Sequence, residues 1–215
     1  MESRTVTDFY NNLADHYDRE QDLFKFVREP ERELIFRAFA EILNNRQDVL
    51  EIGAGTGRFT IPASRTVKKI HALDISKNML DKLKEKKEKN FLKNIEIIQE
   101  GFLEHDFNQK FDLIMSFSAL EYIKDSDQLF KKMSGLLKDN GQLIFTTAHN
   151  TFFRLFGRIG NYFRQKIWMN AFSKRKIGKI LAKNQLEIVE IRDLVMKTKL
   201  TKGILLFVHA KKKSN

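Results

Sequence analysis

The chain has 215 residues, 42% of them hydrophobic, which is enough for one domain with a sizeable core. It has no cysteine, which excludes disulfides, thiolate zinc sites, iron–sulfur clusters and cysteine nucleophiles. The net charge of +11 is uneven, because residues 1–150 balance to −2 and residues 151–215 carry +13. The basic excess of the C-terminal third points to an anionic partner or to a solubilising face.

The N-terminus, MESRTVTDFY, lacks an apolar signal core, and no stretch reaches the roughly 18 apolar residues of a membrane span. A cytoplasmic protein is the expectation. Pro30 is expected just before the first core helix, setting residues 1–30 apart as an N-terminal segment. Glu31 to Asn44 then reads as a helix with Leu34, Ile35, Ala38, Phe39 and Ile42 on one face. Strands are expected at Val49–Ile52, Ile70–Asp74, Ile95–Gln99, Phe111–Phe117, Gln142–Thr147, Leu186–Glu190 and Ile204–His209. Lys82 to Lys89 reads as a solvated helix face. Ser126 to Lys138 is a helix that stops at Asp139-Asn140-Gly141, and Ser173 caps another that runs to about Asn184. This alternation predicts an α/β fold with a doubly wound, mostly parallel sheet and helices on both faces. The last two strands lack a clear helix between them and are expected as an antiparallel hairpin at the sheet edge. One domain, residues 1–215, carries two appendages, residues 1–30 and 149–172.

The first strand runs into Gly53-Ala54-Gly55-Thr56-Gly57 and then a helix. Glycines let a backbone turn tightly and approach a ligand, although a plain strand-to-helix turn uses them too. The second strand ends at Asp74, where an acid can accept from both hydroxyls of a ribose or cap the next helix. The spacing is G-x-G-x-G rather than the dinucleotide G-x-G-x-x-G, and there is no Walker lysine. Glu51 before the loop suits a cationic ligand group better than a diphosphate.

VLEIGAGTG at 49–57, ALDIS at 72–76 and FDLIMSFSALEYI at 111–123 resemble the class I S-adenosylmethionine (SAM)-dependent methyltransferases. The small-molecule, type 11-like branch is the most similar, and the likeness spans about residues 32–147. It implies a Rossmann-like seven-stranded sheet with an antiparallel last strand. It also implies SAM as cofactor and S-adenosylhomocysteine as product. Under that resemblance Gly53, Ala54, Gly55 and Gly57 line the methionine part, and Glu51 helps hold its ammonium. Asp74 holds the ribose, and Ile75 and Met79 pack on the adenine unless they are simply core. Ser116 and Leu120 border the methionine part. Relatives often place an acid after the third strand to accept from the adenine amino group. Here Gly101 stands at that position, followed by Phe102, whose backbone N–H faces the adenine, and Glu100 or Glu104 is left to substitute.

A hydroxyl acceptor needs a base. His149 and Tyr122 are the candidates, each with an ordinary structural role as the alternative. No spacing resembles a metal site. The chain lacks the Asn/Asp-Pro-Pro-aromatic run of amino-methylating nucleic-acid enzymes, and the absence of cysteine excludes the covalent cytosine C5 route. By the resemblance, Tyr10 and Tyr17 belong to a lid over the cofactor. Residues 152–168, FFRLFGRIGNYFRQKIW, put most of their apolar side chains on one half of a helical wheel and most of their cations on the other. Phe152, Phe156 and Trp168 are substrate-side candidates there. This insert caps an apolar substrate pocket, touches an anionic membrane, or packs on the core. The expected activity is methyl transfer to a small, hydrophobic or lipid-like acceptor, at oxygen before nitrogen or carbon. An RNA methyltransferase and a non-catalytic SAM-binding module are the alternatives.

Overall fold

The computed structural model describes residues 2–23, 25–149, 167, 169–194 and 205–214. Phe152, Phe156 and Trp168, and with them residues 150–166 of the 149–172 insert, lie outside the described residues.

Three helices open the chain: α1 (Glu2–Leu13), α2 (Tyr17–Leu23) and α3 (Lys25–Ile42). Strands and helices then alternate as β1 (Asp48–Ile52), α4 (Thr60–Ser64), β2 (Lys69–Asp74), α5 (Lys77–Lys89), β3 (Ile95–Gln99) and β4 (Phe111–Phe117). A 3-10 turn at Leu120–Tyr122 leads to α6 (Ser126–Leu136), β5 (Leu137–Ala148), α7 (Lys174–Lys183), β6 (Leu186–Leu194) and β7 (Leu205–Lys212). The seven strands form one sheet in the order β3-β2-β1-β4-β5-β7-β6. All pairs are parallel except those made by β7, which runs antiparallel to both β5 and β6.

β1, β2 and β4 carry near-continuous apolar runs because both of their faces are covered. On one face α3, α4 and α5 pack Ile35, Phe39, Ala63 and Leu83 onto Val49, Ile70 and Leu113. On the other, α6 and α7 pack Phe130, Met133, Ile177 and Leu181 onto Ile114, Phe145 and Val208.

β6 and β7 form the expected antiparallel pair at the sheet edge, with β7 between β5 and the outermost strand β6. Two expectations are corrected. Pro30 falls inside α3 rather than before it. The helix runs through it with one backbone donor fewer. The helix expected to run from Ser126 to Lys138 ends at Leu136, and the Asp139-Asn140-Gly141 signal sits within β5 instead of stopping that helix. There Asn140 adopts φ 62° and the register with β4 slips.

Candidate active site

The chain winds from β1 through β2 to β3 on one side, then returns to place β4 and β5 on the other. The order reverses between β1 and β4, and a crevice opens beyond their C-terminal ends, where such sheets bind ligands. β1 leaves the sheet through Gly53, Gly55 and Gly57, at φ 75°, 54° and 81°. Gly53 has a second constraint: a Cβ there would stand 2.2 Å from the Cβ of Ala119, across the crevice on the loop after β4. The loop is tied to β2 by the N–H groups of Gly53 and Ala54, which donate to the Leu73 carbonyl at 2.8 and 3.0 Å.

The next residue on β2 is Asp74. One carboxylate oxygen accepts from the Gly55 N–H at 2.8 Å and the other from the Ser76 N–H at 2.9 Å. Ser76, not Asp74, is the N-cap of α5, accepting from the Met79 N–H. Asp74 thus braces the glycine loop while each oxygen keeps a lone pair for a hydroxyl donor. Burial pushes this carboxyl up, and the backbone N–H groups around it hold it back.

Asp74 lines a cavity of about 410 Å³, within the range of roughly 300–1,000 Å³ usual for small-molecule sites. Gly53 and Gly55 form its floor, and Ile75, Met79, Gly101, Phe102 and Leu103 form an apolar end. Tyr10, Tyr17, Tyr122 and Ile123 line it as well. From the loop after β4 the lining residues are Phe117, Ser118 and Ala119. Ser116 is instead fully buried and donates to the Ile52 carbonyl at 2.8 Å, and Leu120 packs in the core beside α6. Glu51 is buried beneath the loop and accepts from the Thr60 hydroxyl at 2.5 Å. Gly57 packs against Leu83.

At Gly101 the structure distinguishes the two acids. Glu100 turns away to His105, at 2.6 Å from Nδ1. Glu104 folds back so that its Oε2 is 2.0 Å from where a Gly101 Cβ would be, and it lines the cavity. A side chain at 101 and the Glu104 carboxylate therefore exclude each other. The loop is braced by Lys132, whose ammonium donates to the carbonyls of Leu103 and His105 and lies 5.4 Å over the Phe102 ring. We expect Glu104→Gln to reduce the preference for S-adenosylhomocysteine over its inosine analogue, which lacks the exocyclic amine, by about tenfold. Competitive calorimetry with the two ligands checks it, and an unchanged ratio would separate Glu104 from the base.

Sequence reasoning missed a polar cluster at the other end. Ser118, at φ 55°, donates to Glu31 Oε1 at 3.2 Å and accepts from Arg28 at 3.2 Å. Arg28 also pairs with Glu31 at 2.8 Å, and Thr146 donates to Glu31 at 2.6 Å. Burial works against the Arg28 charge, but Glu31 more than offsets it, so the guanidinium stays protonated. These partners lie up to 115 positions apart in sequence, and no local pattern marks them.

The N-terminal helices close over the cavity and are pinned to α5 and the glycine loop. Asn11 accepts from Ser76 and Asn78, Asp15 pairs with Lys82 at 3.0 Å, and Asp18 accepts from Thr56 and Lys86, both at 2.7 Å. Tyr10 meets Tyr122 edge-on at 5.5 Å and Tyr17 at 6.3 Å. Burial, then the neighbouring phenols, hold the Tyr10 hydroxyl well above its usual range, so it remains a donor. Val6, Ile167 and Met169 pack behind Tyr10, Ile75 and Tyr122. His149 is not among the lining residues. It lies at the end of β5 with Nδ1 3.2 Å from Asp193, which also pairs with Lys174 at 2.5 Å.

These features fit a nucleoside bearing a zwitterionic thioether or sulfonium arm. Asp74 offers carboxylate acceptors, the apolar end carries Glu104 at its edge, and the glycine floor leaves room between them. Arg28 and Glu51 do not line the cavity; Arg28 reaches it through Ser118, and Glu51 lies beneath the glycine loop. Among the described residues no group of three His, Cys, Asp or Glu could hold a metal, and no helix is long and apolar enough to cross a membrane.

Comparison with known proteins agrees. Residues 43–185 match the profile of a methyltransferase domain. The chain is 28% identical over 158 residues to a malonyl-[acyl-carrier protein] O-methyltransferase of Ilyobacter polytropus, covering 72% of this chain and 56% of that one. It is 31% identical over 104 residues to a ubiquinone biosynthesis O-methyltransferase of Pelagibacter ubique, covering 48% and 42%. The chain spans little more than half the length of the first of these relatives. Among solved structures, magnesium protoporphyrin IX methyltransferase of Synechocystis with bound S-adenosylhomocysteine superposes with a TM-score of 0.74 at 18% identity, over 97% of this chain and 98% of that one. The DhpI–S-adenosylhomocysteine complex gives 0.76 at 15% identity, over 100% and 98%. The crevice at the switch point, with its glycine floor and ribose-side acid, is thus that of a methyltransferase domain, and the chain belongs to this family of S-adenosylmethionine-dependent methyltransferases.

Proposed function

We propose that this enzyme methylates an oxygen of a small acceptor with an apolar body. The observation that carries the reading is the aromatic wall of Tyr10, Tyr17 and Tyr122, backed by Val6, Ile167 and Met169, over the cavity. An apolar wall desolvates an acceptor of matching surface and excludes water from the reacting atoms. Two of the relatives are named for O-methylation, one on a carrier-bound malonyl group and one in ubiquinone biosynthesis.

The bound cofactor supplies an already activated sulfonium methyl, so no covalent enzyme intermediate is required. The residues have positioning work to do. Asp74 and Glu104 hold the nucleoside, and Arg28 and Glu51 hold the charged arm. The lid, pinned through Asn11, Asp15 and Asp18, shuts water out. Of the two candidate bases only Tyr122 lines the cavity, while His149 stays beside Asp193 at the end of β5.

The test is incubation with methyl-labelled S-adenosylmethionine and a panel of apolar phenols, apolar carboxylic acids, polar analogues and RNA, with products identified by mass spectrometry. Transfer to apolar oxygen acceptors is expected, and transfer confined to polar acceptors would refute the reading. RNA remains the second reading because of the basic C-terminal third. A probable ribosomal RNA small subunit methyltransferase A of Methanosphaera stadtmanae is also 42% identical, over 92 residues that cover 43% of this chain and 32% of that one. RNA binding that falls steeply with salt, together with methylated RNA, would favour it. Tight cofactor binding with no transfer to any acceptor would favour the non-catalytic module.

A further inference from the structure

α5, whose Lys82 and Lys86 pair with Asp15 and Asp18 of the N-terminal helices, ends beside the start of β3 in a Schellman motif. The Leu92 N–H donates to the Lys87 carbonyl at 3.1 Å and the Phe91 N–H to the Glu88 carbonyl at 3.0 Å. That motif places its C′ residue in the left-handed region, where glycine is usual because a Cβ is costly. Here C′ is Phe91, at φ 54°. Its ring gains nothing from the fold in return: Phe91 is 89% exposed, against at most 57% for the other exposed large apolar residues among those described. Leu92 turns inward onto the core and fixes the cap, so Phe91 is held outward.

The surroundings are cationic. Lys84, Lys87, Lys89 and Lys93 lie within the same stretch, and among the described residues none has an ion-pair partner within 4 Å. Lys84, Lys87 and Lys93, with Lys69 and Lys77, outnumber Asp81, Glu88 and Glu96 along a groove of about 640 Å³ between α5 and β3, over Leu80, Ile95 and Ile97. A lone exposed apolar residue is ordinary on a protein surface. An aromatic ring held in a costly backbone conformation, within a lysine-rich stretch that borders a net-cationic groove, is not.

We propose that this end of α5 docks on an anionic lipid bilayer. Phe91 enters the boundary between headgroups and acyl chains, and the four lysines meet the headgroups. A protruding ring fits a soft surface that closes around it, whereas a protein partner would need a matching pocket. Each lysine near such a surface contributes attraction that salt screens. None of these residues lines the cofactor cavity, so cofactor binding is unaffected by the contact.

The test is co-sedimentation of the full chain with phosphatidylcholine vesicles, with and without about 30 mol% phosphatidylglycerol. Binding to the anionic vesicles only is expected, weakened by raising salt from about 0.1 to 0.5 M. Phe91→Gly should raise the lipid concentration for half-binding by about tenfold. The same variant should unfold at a higher temperature, because glycine relieves the left-handed residue. Lys84→Glu/Lys87→Glu/Lys93→Glu should abolish the preference for anionic vesicles while leaving S-adenosylhomocysteine binding intact. Absence of vesicle binding, or Phe91→Gly binding as well as the parent, would overturn the proposal. So would equal capture by soluble polyglutamate regardless of Phe91, which would assign the lysines to an acidic protein.

Discussion

Asp74→Ala is expected to weaken S-adenosylhomocysteine binding by about 100-fold or more. A hydrogen bond to a charged group contributes roughly 1.5–3 kcal/mol, and a ribose offers this carboxylate two hydroxyls. Part of the loss comes through the protein, because Asp74 also accepts from the N–H groups of Gly55 and Ser76. Asp74→Asn separates the contributions by keeping the shape and one acceptor. A second ligand locates the effect. 5′-Methylthioadenosine keeps the nucleoside and lacks the amino-acid arm. Asp74→Ala should weaken both ligands alike, whereas Arg28→Ala should weaken S-adenosylhomocysteine by about tenfold or more and leave methylthioadenosine nearly unchanged. Arg28 donates to Ser118, which lines the cavity on the loop after β4, whereas the slot proposed for the base is lined from α5 and the loop after β3. Calorimetric titration of the two ligands into the three variants decides the matter. Parent-like affinity in Asp74→Ala would sink the assignment of the cavity, and equal losses for both ligands in Arg28→Ala would sink the orientation.

The parts of this arrangement that the sequence made legible are those built from neighbours in the chain. The glycine loop, Asp74 and the seven apolar runs are local patterns, and each strand overlaps its expected span, although β5 begins five residues earlier and β6 ends four residues later than expected. The place of β7 was not legible, because strand order between antiparallel partners depends on which edge remains open after the parallel core has formed. Along β4, alternation alone does not tell which residue of the following loop reaches the crevice. Phe117 is the last strand residue, and the left-handed turn at Ser118 redirects the chain, so Ser118 and Ala119 line the cavity while Ser116 faces inward. Arg28, Glu31 and Lys132 carried no signal, since charged residues on a helix read as solvated until the partner they are buried against is known. Glu104 could be weighed only as one of two acids near Gly101, and the choice between them required the path of the loop.

Glu51 should make the stability of the free protein fall as pH rises. It is 2% exposed, and burial pushes its carboxyl up to about 8, with the Thr60 hydroxyl opposing and Asp74 adding to the shift. The folded state therefore holds this proton more tightly than the unfolded chain, in which the ordinary value is 4.5. The protonated-state advantage is complete below 4.5 and is lost progressively as pH rises to about 8, after which the loss levels off. At about 1.4 kcal/mol per pH unit, the loss is on the order of several kcal/mol. In Glu51→Gln the amide still accepts from Thr60 but does not ionise. Its unfolding temperature should exceed the parent's at pH 9 and approach it near pH 5. A ligand ammonium beside Glu51 reverses the balance by favouring the carboxylate. Binding of S-adenosylhomocysteine at pH 7 should then release a proton, seen as a binding enthalpy that differs between phosphate and Tris buffers in the parent and not in Glu51→Gln. Parallel stability curves would show that Glu51 does not titrate in this range. Curves that diverge without any buffer dependence would keep the buried acid as a cost to the fold and remove it from the cofactor's amino end.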